Sequence, residues 1–179
     1  GISQGGMLPL REANFLTPHW TPQLAAMRPG TIEQHRLWAL DFESFVSMGY
    51  NTKEVAKKDV PQSLDDLLNP KWKGKMAFSR GSSLPNWIGV ALQEKGEGFL
   101  RKLAKQNIRN YKISGRALSN LIVSGEVPLS PTIFNSHMFA SAKKGANVAW
   151  RDLDTVYANR NMMGLAKHAP HPHAGMLLI

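Results

Sequence analysis

The chain has 179 residues, 42% of them apolar, with 22 Lys and Arg against 13 Asp and Glu for a formal net charge of +9. That length and apolar content suffice for a buried core. The absence of cysteine excludes disulfides and thiolate metal sites, and no run approaches the roughly 18 consecutive apolar residues of a membrane helix. The basic balance leaves two classes open, nucleic-acid binding and attraction of small anions.

In chain order, Gly1 to Phe15 lacks the basic-then-apolar pattern of a signal peptide. A chain that begins after its signal reads the same way. Pro18, Pro22 and Pro29 predict a broken region over residues 1–36, with at most a short helix at Gln23–Met27. Leu37 to Tyr50 is dense in aromatic and aliphatic residues and reads as extended. A helix is expected from Ser63, a good N-cap, with Asp65 and Asp66 in its first turn and Asn69-Pro70 as its stop. Lys75 to Ser79 reads as a buried strand, and Pro85 opens a helix to about Lys95 with Trp87, Val90 and Ala91 on one face. Glu97 to Gln106 repeats that helical pattern, and Asn110 to Ile113 reads as a strand. Ser114 begins another helix, with Ala117, Leu118, Leu121 and Ile122 inward and Gly125 as its end. A strand at Val127–Ile133 and a helix at Asn135–Lys144 follow, then strands at Val148–Trp150 and Met162–Ala166. A final helix starts at Pro172 and runs into Met176-Leu177-Leu178-Ile179 with no C-cap, which is expected of an internal piece of a longer protein. Strands alternating with helices of about ten residues predict an α/β fold.

Three strings stand in order along this pattern. Val60–Ser79, VPQSLDDLLNPKWKGKMAFS, is similar to a P-x-S-x-x-D-L-L-x-P-x-W-K-G-K segment; Ser114–Ser130 is SGRALSNLIVSGEVPLS; Gly164–Ile179 is GLAKHAPHPHAGMLLI. Together they resemble the extracellular solute-binding proteins of the iron(III)-binding-like class, the ligand-capturing subunits of bacterial ABC importers. The resemblance covers roughly Leu37 to Ile179 and implies the type 2 periplasmic binding fold. That fold has two three-layer α/β/α lobes joined by crossover strands, with the ligand in the cleft. Residues 1–50 are then expected to be part of lobe one and the first crossover. Residues 51–145 would form the distal lobe, and residues 146–179 the return crossover and part of lobe one. The resemblance also implies a periplasmic location, a non-enzymatic role without cofactors, and an inner-membrane ABC permease as partner. A piece of such a protein is expected to expose apolar surface and to self-associate.

The candidate ligand contacts lie at helix starts, which present unpaired N–H groups and partial positive charge to anions. In the first, between a strand and a helix, Ser82 and Ser83 add hydroxyls, Gly81 permits close backbone approach and Arg80 adds a fork of donors. Ser83 reads equally as a plain N-cap. Ser114 and Arg116 form a second such start, where capping is again the alternative. The corresponding turn in relatives faces the cleft. The third element is Phe134-Asn135-Ser136-His137-Met138. In relatives that bind ferric iron the resemblance places adjacent tyrosines here, whereas this chain has His137 and Met138, neither a hard anionic donor. Its three tyrosines, Tyr50, Tyr111 and Tyr157, are separate. Asn135 and His137 remain hydrogen-bonding candidates. Ser44 falls where iron-binding relatives place an anion-holding arginine, and Glu43, if it faces the cleft, would admit a cationic group. An anion or organic acid is therefore expected as the small-molecule ligand, ahead of free iron.

Two rival readings compete. His168, His171 and His173 have a spacing that suggests a metal-dependent enzyme, but Pro170 and Pro172 interrupt it and no carboxylate lies nearby. The basic-aromatic Lys71-Trp72-Lys73-Gly74-Lys75 suggests nucleic-acid binding, but no recognised nucleic-acid motif accompanies it.

Overall fold

The computed structural model describes residues 2–80 and 83–179; the expected contacts Gly81 and Ser82 lie outside the described residues. The chain forms two compact units, one of residues 1–43 and 160–179 and the other of residues 44–159. It passes between them twice, within the strands β3 (Ala39–Asn51) and β8 (Tyr157–Met163). The units divide at Glu43/Ser44 and Asn159/Arg160. One reason is hydrogen bonding: Met48–Asn51 of β3 pairs with β7 (Val148–Arg151), so both belong to the second unit.

In the first unit, β1 (Ile2–Ser3) pairs antiparallel with the end of β8, and β2 (Leu16–Thr17) pairs antiparallel with β9 (Leu165–Ala166). The expected broken region is corrected here: α1 (Gln4–Glu12) is helical despite Gly5, Gly6 and an internal Pro9. Low propensity is overridden by packing, because Met7 and Leu10 lie three residues apart on one helix face. Both join Leu16, Trp38 and Met162 in a small core. The short helix expected at Gln23–Met27 is α2 (Pro22–Ala25). The last helix, α6 (Pro172–Leu178), buries none of its residues and leaves Leu177 91% and Leu178 75% exposed.

The second unit is a layered α/β structure. Strand β4 (Ala77–Ser79) pairs in parallel with β5 (Arg109–Tyr111), and Met76 bridges in parallel to Leu129 at the start of β6 (Leu129–Phe134). Strand β3 runs antiparallel between β6 and β7. Helices cover both faces. On one, α3 (Ser83–Ala104) packs Trp87, Ala91, Phe99 and Leu103 onto Met76 and Phe78. On the other, Leu118 and Ile122 of α4 (Gly115–Ser124) and Met138 of α5 (Asn135–Lys143) pack onto Ala77 and Ile133. The alternation Met76, Ala77, Phe78 between the two cores is the period-2 signature of a strand buried on both faces. Helix α3 is interrupted at Gly96, whose φ of 74° is open to glycine, so the two expected helical patterns are two segments of one element.

Local sequence signals set several joints. Ser63 and Asp66 form a reciprocal cap. The Asp66 amide donates to Ser63 Oγ at 3.2 Å, and the Ser63 amide donates to Asp66 Oδ2 at 3.0 Å. The helix expected there is corrected to a short 3-10 turn, Asp65–Leu68, because Asn69-Pro70 stops it after one turn. Lys95 bridges this turn to the loop after β7, at 2.8 Å from Asp65 and 3.1 Å from Asp154. Backbone donors, led by the Gln62 amide, lower the Asp66 carboxyl below its usual range.

One irregularity controls the sheet. Ser47 faces Ile133 and Gly49 faces Ser130, so two steps on β3 oppose three on β6. This bulge lies at Pro131, a residue that sheets accept at such positions. It turns Leu129 and Ile133, which would otherwise share a face, into opposite cores. Beside it, a Cβ on Gly49 would lie 2.9 Å from Met138 Sδ and 3.2 Å from Ile133 Cβ. Gly49 is thus the space into which Met138 seats α5. Gly49→Ala is expected to cost about 1–3 kcal/mol of stability in urea unfolding, the range for overpacking a filled core. A loss below about 0.3 kcal/mol would show that the contact is not tight.

Candidate functional site

Strands β4, β5 and β6 run parallel, and each is followed by a helix. Their carboxyl ends therefore place the starts of α3, α4 and α5 along one edge of the second unit. In open α/β sheets this edge is where ligands bind. The remaining candidates gather there. The Arg80 amide donates to the Tyr111 carbonyl at 2.9 Å, continuing the β4–β5 ladder and leaving the Arg80 side chain exposed. Ser83 is buried at the start of α3. Exposed Ser114 caps α4, its Oγ accepting from the Ala117 amide at 3.1 Å, and Arg116 is exposed in the first turn. Asn135 and His137 occupy the first turn of α5, both half-buried. Ser44, half-buried on β3, lies just beyond the Val46–Phe134 pair that closes the β3–β6 ladder at this edge.

The second and third candidate elements meet. A Cβ on Gly115 would lie 3.6 Å from His137 Cε1, so the glycine leaves room for the imidazole against the start of α4. The ring packs edge-on to Phe134 with centroids 5.5 Å apart. Its Nδ1 is buried without a hydrogen-bond partner among the described residues. Burial, then the Arg116 charge, lower the His137 pKa below its usual value, and the Gly115 backbone opposes this weakly. His137 is therefore neutral at pH 7.

Three contacts at this edge escaped the sequence reading. The Tyr157 hydroxyl donates to the Ser83 carbonyl at 2.6 Å, and burial raises the phenol above its usual range. Asn86 Nδ2 donates to Oδ1 of buried Asn159 at 3.5 Å. Buried Ser47 donates through its hydroxyl to the Asp152 carboxylate. Each joins residues more than 70 positions apart, so no local pattern signals them. Glu43 is not available to a cationic ligand. Its Oε1 takes Arg160 Nε at 3.0 Å and its Oε2 takes Arg28 Nη2 at 3.3 Å, all within the first unit. His168, His171 and His173 are exposed, and no group of three metal-ligating side chains occurs among the described residues.

Removing the phenol hydroxyl isolates one of these contacts. Tyr157→Phe is expected to lower stability by about 0.5–1.5 kcal/mol, one hydrogen bond's net worth. It should also raise the amide exchange of the first turn of α3. Unchanged exchange there would mean that Tyr157 does not hold the start of α3.

Comparison with known proteins bears on this edge. The chain is 27% identical over 146 residues to the "Fe(3+)-binding periplasmic protein" of Serratia marcescens, covering 79% of this chain and 43% of that protein. It thus spans less than half the length of this curated relative. Iron-bound HitA from Pseudomonas aeruginosa superposes with a TM-score of 0.80 at 19% identity, over 99% of this chain and 60% of that one. The periplasmic binding protein AfuA from Actinobacillus pleuropneumoniae, solved with exogenous fructose-6-phosphate bound, gives 0.80 at 18% identity over 94% and 57%. At such identities the structures establish the shared fold, that of periplasmic binding proteins. Residues 4–157 match the family described as bacterial extracellular solute-binding protein, a family of binding proteins and not of enzymes. The chain belongs to that family.

Proposed function

We propose that the edge formed by the starts of α3, α4 and α5 captures a small molecule bearing a carboxylate, phosphate or sulfonate group. The observation that carries this reading is the convergence of Arg116, Ser114 and the neutral His137 at one helix junction, with Arg80 exposed at the end of the neighbouring strand. Backbone N–H groups at helix starts, hydroxyls and guanidinium forks are the donors that oxyanions need. Of the carboxylates near this edge, Asp152 is bonded to Ser47. The ligand contacts proposed are Ser44, Arg80, Ser83, Ser114, Arg116, Asn135 and His137, together with Gly81 and Ser82 outside the described residues. One relative is named for ferric iron and another was solved with a sugar phosphate. The residues here favour the anionic cargo. Tyr157 is held as a neutral phenol bonded to Ser83, so it does not stand ready as a phenolate for iron.

In the longer protein, ligand contacts from two lobes would exist only in a closed form, so binding would shift the population toward closure. β3 and β8 would serve as hinges, and an ABC permease in the inner membrane would read the closed state. The compartment proposed is the periplasm.

A thermal-shift screen of the chain against sulfate, phosphate, sugar phosphates, organic acids, amines and ferric citrate tests the ligand class. An anion at a hundredfold excess over its Kd is expected to add about 2.7 kcal/mol of apparent stability. The double variant Arg80→Gln/Arg116→Gln should lose that gain. Stabilisation by amines alone, or an anion effect that survives in the double variant, would overturn the assignment.

A further inference from the structure

His137 is the one titratable side chain of α5's first turn, and it stands where two helix starts meet. Its surroundings are unusually plain. From α4 the charged neighbour is Arg116. From β6 comes Phe134, uncharged and edge-on. Within α5 the nearby side chains are Asn135, Ser136, Met138 and Ser141, all uncharged, and Ser141 donates to the His137 carbonyl. Strand β7 also packs on α5 and carries Arg151, but its aromatic contact with the helix runs from Trp150 to Phe139. No carboxylate is among the groups that shift the ring, and its Nδ1 is buried without a hydrogen-bond partner among the described residues.

We propose that His137, wedged against Gly115 beside Arg116, makes anion capture at this edge pH-dependent, strengthening it as the medium acidifies below about pH 7. The inference rests on the anion-binding reading above and adds a regulator to it. The sign follows from charge. Among the described residues the charged neighbour of the ring is a cation, so protonation of His137 is opposed by burial and by Arg116. A bound anion reverses that field, so the anion and the proton each favour the other. Linkage then requires that the affinity for an anion rise as pH falls toward and below the imidazole's lowered pKa. The cargo is an oxyanion that keeps its charge over this range, and the proton acts as a second ligand of the same site.

Sulfate is a clean probe because it stays dianionic throughout. Calorimetric titration of the chain with sodium sulfate, at constant ionic strength, is run at pH 7.5 and pH 5.5 on the parent, His137→Gln and Arg116→Gln. The parent is expected to bind more tightly at pH 5.5 by up to about tenfold, the limit that one unit of pKa difference between empty and occupied site sets and that is reached only below the imidazole's lowered pKa. His137→Gln should show no change between the two pH values, whatever its affinity. In Arg116→Gln, the NMR titration of the His137 Cε1 proton should move upward in pH. Sulfate binding that is equal at both pH values in the parent, or a pH response that survives in His137→Gln, would overturn this inference and leave the anion site standing. No sulfate binding at either pH would overturn both.

Discussion

Met138 reaches β3 only because residue 49 has no side chain. Its thioether fills the space above Gly49 and against Ile133, fully buried, and this contact sets where α5 begins. Once α5 is seated, Asn135 and His137 stand at the sheet edge and the imidazole meets Gly115 of α4. The bulge at Pro131 works with the same contact. It supplies the extra residue in β6 that turns Ile133 toward α5 while Leu129 stays on the α3 side. Interiors are packed closely enough that a methyl-sized change is felt by its neighbours. A candidate site more than one strand away from Gly49 therefore depends on the absence of a side chain there.

The electrostatics of the edge follow from the same layout. Parallel strands β4, β5 and β6 each end where a helix starts, so exposed amide donors accumulate on one side of the unit. Arg80 and Arg116 add charge there. Asp152 is engaged by a hydroxyl, and in the other unit Glu43 is shared by two guanidinium groups. The excess of basic residues in the composition thus has a local expression in a place suited to a small anion.

What the sequence made legible was local. Ser114 and Gly125 bound α4 as their residue types predict, and Gly96 divides α3 where two helical patterns met. The reciprocal cap of Ser63 and Asp66 was half visible, the serine and the acidic first turn being readable and the one-turn length not. The strings at Val60–Ser79, Ser114–Ser130 and Gly164–Ile179 indicated the family before any geometry only when taken together and in order. The rest was set by tertiary contact. Helix α1 forms through Met7 and Leu10 against Trp38, against the propensities of Gly5, Gly6 and Pro9. Tyr157 finds Ser83 across 74 positions, and the meeting of His137 with Gly115 needs two helix starts brought side by side. Residue types suggested each candidate; only the parallel order of the strands places them on one edge.

The most direct test is to locate an anion on the folded chain. Backbone amide shifts in a sulfate titration, corrected with chloride at equal ionic strength, report which N–H groups meet the ion. Saturable shifts are expected at Ser114–Ala117 and Asn135–Met138, with smaller ones near Arg80. Shifts confined to surface lysines such as Lys57, Lys58, Lys143 and Lys144, or linear in sulfate without saturation, would contradict the presence of an anion site at the α4–α5 junction.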